Sequence, residues 1–231
     1  MKVITSLVAL SLLGLSQLAL ADSMLIYNYR FAEGAHGWSA DFADYPAGEE
    51  EFYELYAGIE KLPSYFDKQR LAFLLSGNNH SADLCMFLRK KVTKLKPNTK
   101  YKAFFQTTIA SNATSDSFGI GGSPATSVFL KAGASVVRPA AALNGNRRLN
   151  IDKGNQSSEG NDAIVLGHIG VDNAFNPKKY MIKTLSNSDP FYIQSDNDGN
   201  AWLFVGIDSG YEATTSVFIK RVKASFVEAN E

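Results

Sequence analysis

The sequence has very little that could cross-link the chain or draw it to a charged polymer. Cys85 is the only cysteine among 231 residues, so no internal disulfide can form. Lysine and arginine together number 23, as do aspartate and glutamate, so no net charge attracts nucleic acid or an anionic membrane. Long apolar runs are absent after residue 21. We therefore expect a fold held by its core, with Cys85 buried, no nucleic-acid partner and no membrane anchor in the mature chain.

Motifs for catalysis are also absent. The chain contains no H-E-x-x-H pair and no G-x-S-x-G elbow. The stretch Gly119–Ser123 is glycine-rich, but it lacks the Lys-Ser/Thr that follows a phosphate-binding loop. These absences favour a non-enzymatic protein that needs no cofactor.

The first 21 residues have the three-part pattern of a secretory signal peptide. Lys2 gives a positive start, an apolar run from Ile4 to Leu20 follows, and Ala19 and Ala21 place small residues before Asp22. The run is short for a membrane span of about 20 residues and contains several polar side chains. We expect cleavage after Ala21 and a periplasmic or secreted, bacterial-type location.

The remaining residues, 22–231, indicate a single all-β domain. Helical periodicity is nearly absent, and short apolar or alternating runs are separated by turn-forming clusters, which is typical of an antiparallel β-sandwich. Two pairs of runs also flank short turns and predict hairpins: 71–75 with 84–92, and 191–194 with 201–207. The predicted strands are 24–31, 51–58, 71–75, 84–92, 100–110, 127–132, 162–168, 180–185, 191–194, 201–207 and 215–226.

Two segments carry a family resemblance. The stretch 87–101 (FLRKKVTKLKPNTKY) resembles the corner between two strands in jelly-roll carbohydrate-binding modules and other galactose-binding-like domains. The stretch 216–222 (SVFIKRV) is similar to the last strand of such modules, although Lys220 and Arg221 stand where those modules often have an acid. Three other stretches, at 34–46, 76–81 and 149–156, resemble bacterial exported proteins of unassigned function. The resemblance implies a jelly roll and leaves the ligand open.

The region 38–56 is the richest in aromatic rings and carboxylates. Sugar sites need flat rings for the apolar face of a pyranose and carboxylates or amides for its hydroxyls. The predicted ligand-binding residues are Trp38, Asp41, Asp44, Tyr45 and Tyr53. The alternative is that Trp38 and Phe42 belong to the core and that the glutamates form a solvated edge.

Metal ligation has two weaker candidates. Asp196 and Asp198 lie in an oxygen-rich turn that resembles the start of a calcium loop, but the glycine and glutamate positions of an EF-hand are not matched. His36, His80 and His168 are the only histidines, and their spacing matches no zinc motif. A hairpin turn explains the first group without a metal.

Three functions remain open from the sequence. The first is a non-enzymatic, exported domain that binds a glycan or another envelope component. The second is a hydrolase or lyase that acts on polysaccharide, for which paired carboxylates are required. The third is a structural role in the envelope or matrix.

Overall fold

The structure is a computed structural model that describes residues 24–63, 65–66, 70–173, 175–176 and 178–229. The predicted signal peptide lies outside these residues. Among the described residues, no helix is long and apolar enough to cross a membrane. The strands are β1 Leu25–Arg30, β2 Ser39–Ala43, β3 Tyr56–Lys61, β4 Leu71–Asn78, β5 Leu84–Val92, β6 Lys100–Ser111, β7 Val128–Ser135, β8 Ala163–His168, β9 Met181–Ser186, β10 Phe191–Gln194, β11 Ala201–Ser209 and β12 Thr214–Glu228.

Each predicted strand overlaps an observed one, and the all-β prediction is confirmed. β2 was not predicted, because its residues lie in the aromatic region interpreted as a binding surface. Residues 51–54 form turns instead of a strand, and β3 begins only at Tyr56. The only helical element of the described residues is a single 3-10 turn at Phe31–Glu33.

The strands form two antiparallel sheets packed face to face. The seven-stranded sheet has the order β10-β6-β12-β4-β3, with β1 also paired to β12 and β9 also paired to β6. The five-stranded sheet has the order β2-β5-β11-β7-β8. Four strand pairs are nested in the sequence: β4–β12, β5–β11, β6–β10 and β7–β8. The outermost pair joins β4 to β12, and each further pair lies between the two strands of the pair before it. This nesting is the strand order of a jelly roll, so that prediction is also confirmed.

Neither predicted hairpin forms. β4 and β5 lie in opposite sheets, and so do β10 and β11. The turn signals between them are real, but each turn carries the chain across the sandwich. At the second turn, Gly199 has a positive φ of 71°, and a side chain there would collide with the carbonyl oxygen of Leu95.

The main core lies between the sheets and follows the two-residue period of the strands. On β11, Leu203, Val205 and Ile207 point into this core and are at most 1% exposed. Their neighbours Phe204 and Asp208 point to the outer face of the five-stranded sheet and are also fully buried. A strand buried on both faces requires a third layer over the sandwich.

That third layer is the segment between β7 and β8, residues 136–162, which we call the covering loop. Its apolar residues Ala141, Leu149 and Ile151 pack against Phe87, Phe204 and Cys85 on the outer face of the five-stranded sheet. Cys85 is buried as expected. The covering loop closes this part of the sheet to any large ligand.

The corner that carries the family resemblance is built around Tyr101. Its ring is buried, and its hydroxyl accepts a hydrogen bond from the backbone N–H of Lys96 at 2.7 Å. Ser195 donates from its hydroxyl to the carbonyl of Lys96 and accepts from the N–H of Thr99, which fixes the same turn. The sequence resemblance therefore marks a structural corner.

Candidate functional site

The predicted aromatic platform is buried in this fold. Trp38, Tyr45 and Tyr53 are exposed by 4%, 2% and 1%. Trp38 packs edge-on against Tyr29 and Phe31, with ring centroids 5.6 and 6.1 Å apart. This corrects the prediction, because a ring enclosed on all sides offers no face for a sugar to stack on. The alternative interpretation, with Trp38 in the core, describes the structure.

The exposed rings of the same region are Phe52 and Tyr56. Phe52 is 58% exposed and stacks on His80, with ring centroids 4.0 Å apart and an interplanar angle of 19°. Tyr56 is 47% exposed, and its hydroxyl donates to Glu60. Both differ from the rings that the sequence singled out.

The predicted carboxylates Asp41 and Asp44 are held in ion pairs. Asp41 accepts from Arg89 at 2.6 Å, and the same guanidinium nitrogen donates to the carbonyl of Pro139 in the covering loop. Asp44 lies 3.3 Å from the ammonium of Lys153. Asp41 therefore fixes the Arg89 side chain that holds Pro139, and Asp44 holds Lys153, so both aspartates help to fasten the covering loop.

Asp44 belongs to a network of charges at the covering loop that is largely buried, with Arg148 as its exposed member. Lys153 contacts Asp208 at 2.8 Å and Asp83 at 4.0 Å, and Lys131 contacts Asp208 at 3.2 Å. The network balances three carboxylates against three cations. The carboxylates belong to Asp44, Asp83 and Asp208, and the cations to Lys131, Lys153 and Arg148. Such balance is what a structural ion-pair cluster requires, because an unpaired charge is costly to bury.

Burial and neighbouring charges shift the acid–base properties of this network. Burial, reinforced by the nearby Asp44 carboxylate, raises the pKa of Asp83 above its usual value. Burial lowers the pKa of Lys131. Burial also acts to lower the pKa of Lys153, but the neighbouring Cys85, Asp208 and Asp44 together outweigh it, so that pKa is raised. Lys131 also donates to the carbonyls of Lys153 and Ser158, at 2.7 and 2.9 Å, and thereby fastens the covering loop.

The predicted calcium turn has a structural explanation. One carboxylate oxygen of Asp196 accepts from the backbone N–H groups of Asp198 and Asn200, at 2.9 and 2.7 Å. These hydrogen bonds lower the pKa of Asp196, with the bond from Asn200 the larger cause. Asp196 therefore shapes the turn between β10 and β11, and calcium binding by Asp196 and Asp198 stays a prediction.

The three histidines have separate partners. His36 contacts the carbonyl of Arg30, His80 contacts that of Phe52, and His168 accepts from the N–H of Gly170. Within the part of the chain that the structure describes, no cluster of three or more His, Cys, Asp or Glu side chains could hold a metal ion.

An exposed ring lies instead on β10, at the edge of the seven-stranded sheet. Tyr192 is 49% exposed, and the ammonium of Lys100 lies 4.8 Å from its ring centroid. The ammonium covers one face of the ring through a cation–π contact, and the ring as a whole remains half exposed. The ring separates two clefts.

The first, which we call the edge cleft, has a volume of about 520 Å³ and runs between β8 and the β9–β10 connection. Its polar lining includes Glu159, Asn161, Asn187, Ser188 and Asp189. The second, which we call the sheet cleft, has a volume of about 920 Å³ and is lined by Asn98, Thr99, Lys100, Lys102, Tyr192, Gln194, Glu228 and Ala229. A half-exposed ring flanked by amides, hydroxyls and charges is the combination that recognises a polyhydroxylated ligand.

The sheet cleft continues onto the outer face of the seven-stranded sheet. Lys102 is the cross-strand partner of Tyr192, and Gln106 is the partner of both Lys223 and Ser186. The next row pairs Thr108 with Thr184, whose hydroxyls are 2.9 Å apart. This surface was not predicted, although alternate basic residues at Lys100 and Lys102, and at Arg221 and Lys223, indicate two strands with one charged face.

No protein-family model matches this sequence, and no curated protein matches it. Several solved structures are similar in fold, and those are mostly carbohydrate-binding modules. TmCBM27, a module described by its specific mannan recognition, has 9% identity and a TM-score of 0.41, with 90% of this chain and 99% of that chain covered. A putative sugar-binding protein from Bacteroides thetaiotaomicron has 12% identity and a TM-score of 0.41, with 80% of this chain and 86% of that chain covered.

The enzymatically active domain of tailspike protein 4 from bacteriophage CBA120 has 12% identity and a TM-score of 0.36, with 83% of this chain covered. This chain spans only 20% of that protein. These TM-scores lie below 0.5, and the jelly roll is established by the strand pairing of this chain itself.

Proposed function

We propose that this protein is an exported, non-enzymatic domain that binds a glycan through Tyr192 and the two clefts beside it. The observation that carries the proposal is the half-exposed Tyr192 ring between clefts of about 520 and 920 Å³. A sugar presents an apolar face and a rim of hydroxyls. The ring of Tyr192 offers a stacking surface for that face, and hydrogen-bonding groups for the hydroxyls come from Gln194, Thr99 and Asn161.

Within the described residues, the ion pairs formed by the buried carboxylates support binding over hydrolysis in this proposal. The carboxylates around Lys153, namely Asp44, Asp83 and Asp208, are neutralised by cations and tie down the covering loop. Glycosidases need one carboxyl group free to transfer a proton and a second free to act on the sugar.

A matched pair of tyrosines tests the proposal. Tyr192 and Tyr56 both lie on strands of the seven-stranded sheet, and they are 49% and 47% exposed. With mature protein and a panel of soluble polysaccharides in affinity electrophoresis, Tyr192→Ala should weaken binding about tenfold, as expected for one lost stacking contact. Tyr56→Ala should leave binding within about twofold. Equal retention by wild type and Tyr192→Ala, or release of reducing sugar by the wild type, would contradict the proposal.

Export forms the second part of the proposal. Cleavage after Ala21 would give a mature chain beginning at Asp22, in the periplasm or outside the cell. Intact-mass measurement of the protein from the cell envelope and from the culture medium should show that chain. Recovery of the protein with Met1–Ala21 attached, in the cytoplasm alone, would contradict export.

A further inference from the structure

Five strands of the seven-stranded sheet have a charge composition unlike that of the whole chain. β1, β6, β9, β10 and β12 contain seven basic residues and one acid, whereas the full sequence has equal numbers of each sign. The acid, Glu228, is paired with Lys96. The basic residues are Arg30, Lys100, Lys102, Lys183, Lys220, Arg221 and Lys223.

Four of these residues lie in three rows on the outer face of the sheet, which we call the basic face, and the uncharged row of Phe104 and Ser225 separates the row of Lys102 from that of Lys223. Lys102 pairs with Val227, Lys223 with Gln106, and Arg221 with Thr108. Arg30 is the partner of Arg221 on the neighbouring strand β1. Six residues of β6 separate the row of Lys102 from that of Arg221, which is about 20 Å at the rise of a β-strand. The basic face therefore extends from the sheet cleft along much of the sheet.

The partners of these side chains leave their charge available. Within the described residues, neither Lys102 nor Lys223 has an ion-pair partner. Arg221 donates from Nε to the side-chain oxygen of Asn28 at 2.8 Å, which holds its guanidinium in place without neutralising it. Asp189 and Glu159 lie beyond Tyr192, in the edge cleft.

The placement of Arg30 opposite Arg221 has an energetic cost. Like charges on directly opposed residues of neighbouring strands destabilise a sheet. An anion between two such guanidinium groups removes the repulsion and accepts paired hydrogen bonds from each. The repulsion between Arg30 and Arg221 is therefore smaller when an anion is bound between them than in the free protein.

We propose that the glycan bound by this domain is anionic, and that its carboxylate or sulfate groups contact the basic face. This inference rests on the glycan-binding function proposed above and specifies its ligand class. The face alternates cations with uncharged hydroxyl and amide groups, at Thr108, Gln106, Ser186 and Thr184. One exposed ring, Tyr192, adjoins it, whereas a single-stranded nucleic acid is usually held by stacking successive bases on several rings. A linear acidic polysaccharide fits these features.

Binding assays with polymers of known charge test the ligand class. The probes are polygalacturonate for carboxylates, dextran sulfate for sulfates, and mannan and xylan as neutral polymers. We expect at least one anionic polymer to bind more than tenfold more tightly than the neutral ones. Its affinity should fall steeply with added salt, because exposed charge pairs are screened. The difference between polygalacturonate and dextran sulfate identifies the anion.

Paired variants locate the contact. Arg30→Gln with Lys223→Gln removes two charges from the basic face, and Lys91→Gln with Lys94→Gln removes two from exposed positions outside it. The first variant should weaken polyanion binding at least tenfold while its thermal midpoint stays equal or rises, because a repulsive pair is lost. The second should change binding less than twofold.

Four results would overturn the inference. Equal losses in both double variants would indicate general attraction by net charge. Neutral-polymer binding that needs Tyr192 but not Arg30 or Lys223 would remove the anionic ligand and keep the proposed function. Binding of no polysaccharide would remove both. Binding only to DNA or to anionic phospholipid vesicles would assign the basic face to another class of partner.

Discussion

At the scale of single residues, burial separates the aromatic side chains that stabilise this protein from those that a ligand can reach. Trp38 and Tyr192 both lie in ring-containing runs of the sequence, yet one is 4% and the other 49% exposed. Tyr45 shows the same effect, since burial raises the pKa of its hydroxyl to about 12. Whether an aromatic ring belongs to the core or to a binding surface therefore depends on its surroundings in the fold.

Substitution of Trp38 should affect stability and leave binding intact. Trp38→Ala removes a buried ring packed on Tyr29 and Phe31 and should reduce the free energy of unfolding by about 3–5 kcal/mol. The indole nitrogen has no hydrogen-bond partner in the described structure, so Trp38→Phe should cost clearly less. Urea unfolding measures both. A cost for Trp38→Phe as large as that for Trp38→Ala would contradict this account.

Asp83 should make stability fall as pH rises through the acidic range. Its pKa is raised in the folded state, so between the unfolded value near 3.8 and the folded value the native protein binds more protons than the unfolded chain. Stability then decreases with pH across this window and carries a constant penalty above it. Asp83→Asn should therefore be more stable than wild type at pH 7, and the gain should vanish below pH of about 3.5. Urea unfolding from pH 3 to 8 measures it, and a loss of stability at pH 7 would contradict it.

At the scale of elements, the covering loop depends on buried charges as much as on apolar packing. Asp208 lies between Lys131 and Lys153 and also accepts from the backbone N–H of Gln156 at 2.7 Å. A long connection with little regular structure keeps one conformation only where such contacts fix its backbone. The carboxylate of Asp152 accepts from the N–H groups of Asn161 and Gly154 in the same way, and the bond from Asn161 leads in lowering the pKa of Asp152.

Removal of the Asp208 charge should loosen this loop. Asp208→Asn leaves two buried ammonium groups short of a counter-charge and should cost about 3–5 kcal/mol of unfolding free energy. Amide hydrogens of residues 153–160 should exchange faster than those of the strands. Glu228→Gln, which breaks the exposed pair with Lys96, is the control and should cost less than about 1 kcal/mol. Similar costs for the two variants would contradict the role of burial.

Most of the strands could be predicted from the sequence because each run alternates or is apolar and ends at a turn signal, whereas β2 and the bounds of β3 could not. The partners of the strands could not, since the turns after β4 and β10 have hairpin residues yet lead into the opposite sheet. Local turn chemistry sets where the chain reverses, and packing of both sheets decides where the next strand lies. Tyr192 was missed for the same reason, because its exposure depends on β8 and β6, which are distant in sequence.

At the scale of the whole molecule, one core without cross-links implies a single unfolding event. The two sheets share one hydrophobic core, and Cys85 lies under the covering loop with a thiol whose pKa is raised well above its ordinary value by burial. The thiol is fully buried in the described structure, so a reagent reaches it only after the covering loop or the sandwich opens.

Cys85 should therefore report global unfolding. In native buffer, its labelling by a maleimide should be slow, and its rate should rise with denaturant in parallel with the loss of β-sheet circular dichroism. Reducing agent should leave the thermal midpoint unchanged. Fast labelling of the native protein, with β-structure retained, would show that the covering loop opens independently of the sandwich.

The central position of β12 also determines when the protein can fold. This strand pairs with β1, β4 and β6, so without it the seven-stranded sheet separates into three unconnected parts. Because β12 is the last of the twelve strands to leave the ribosome, the emerging chain has no way to complete its fold early. Folding of such long-range pairings is also slow. The seven-stranded sheet consequently closes only after β12 has been synthesised.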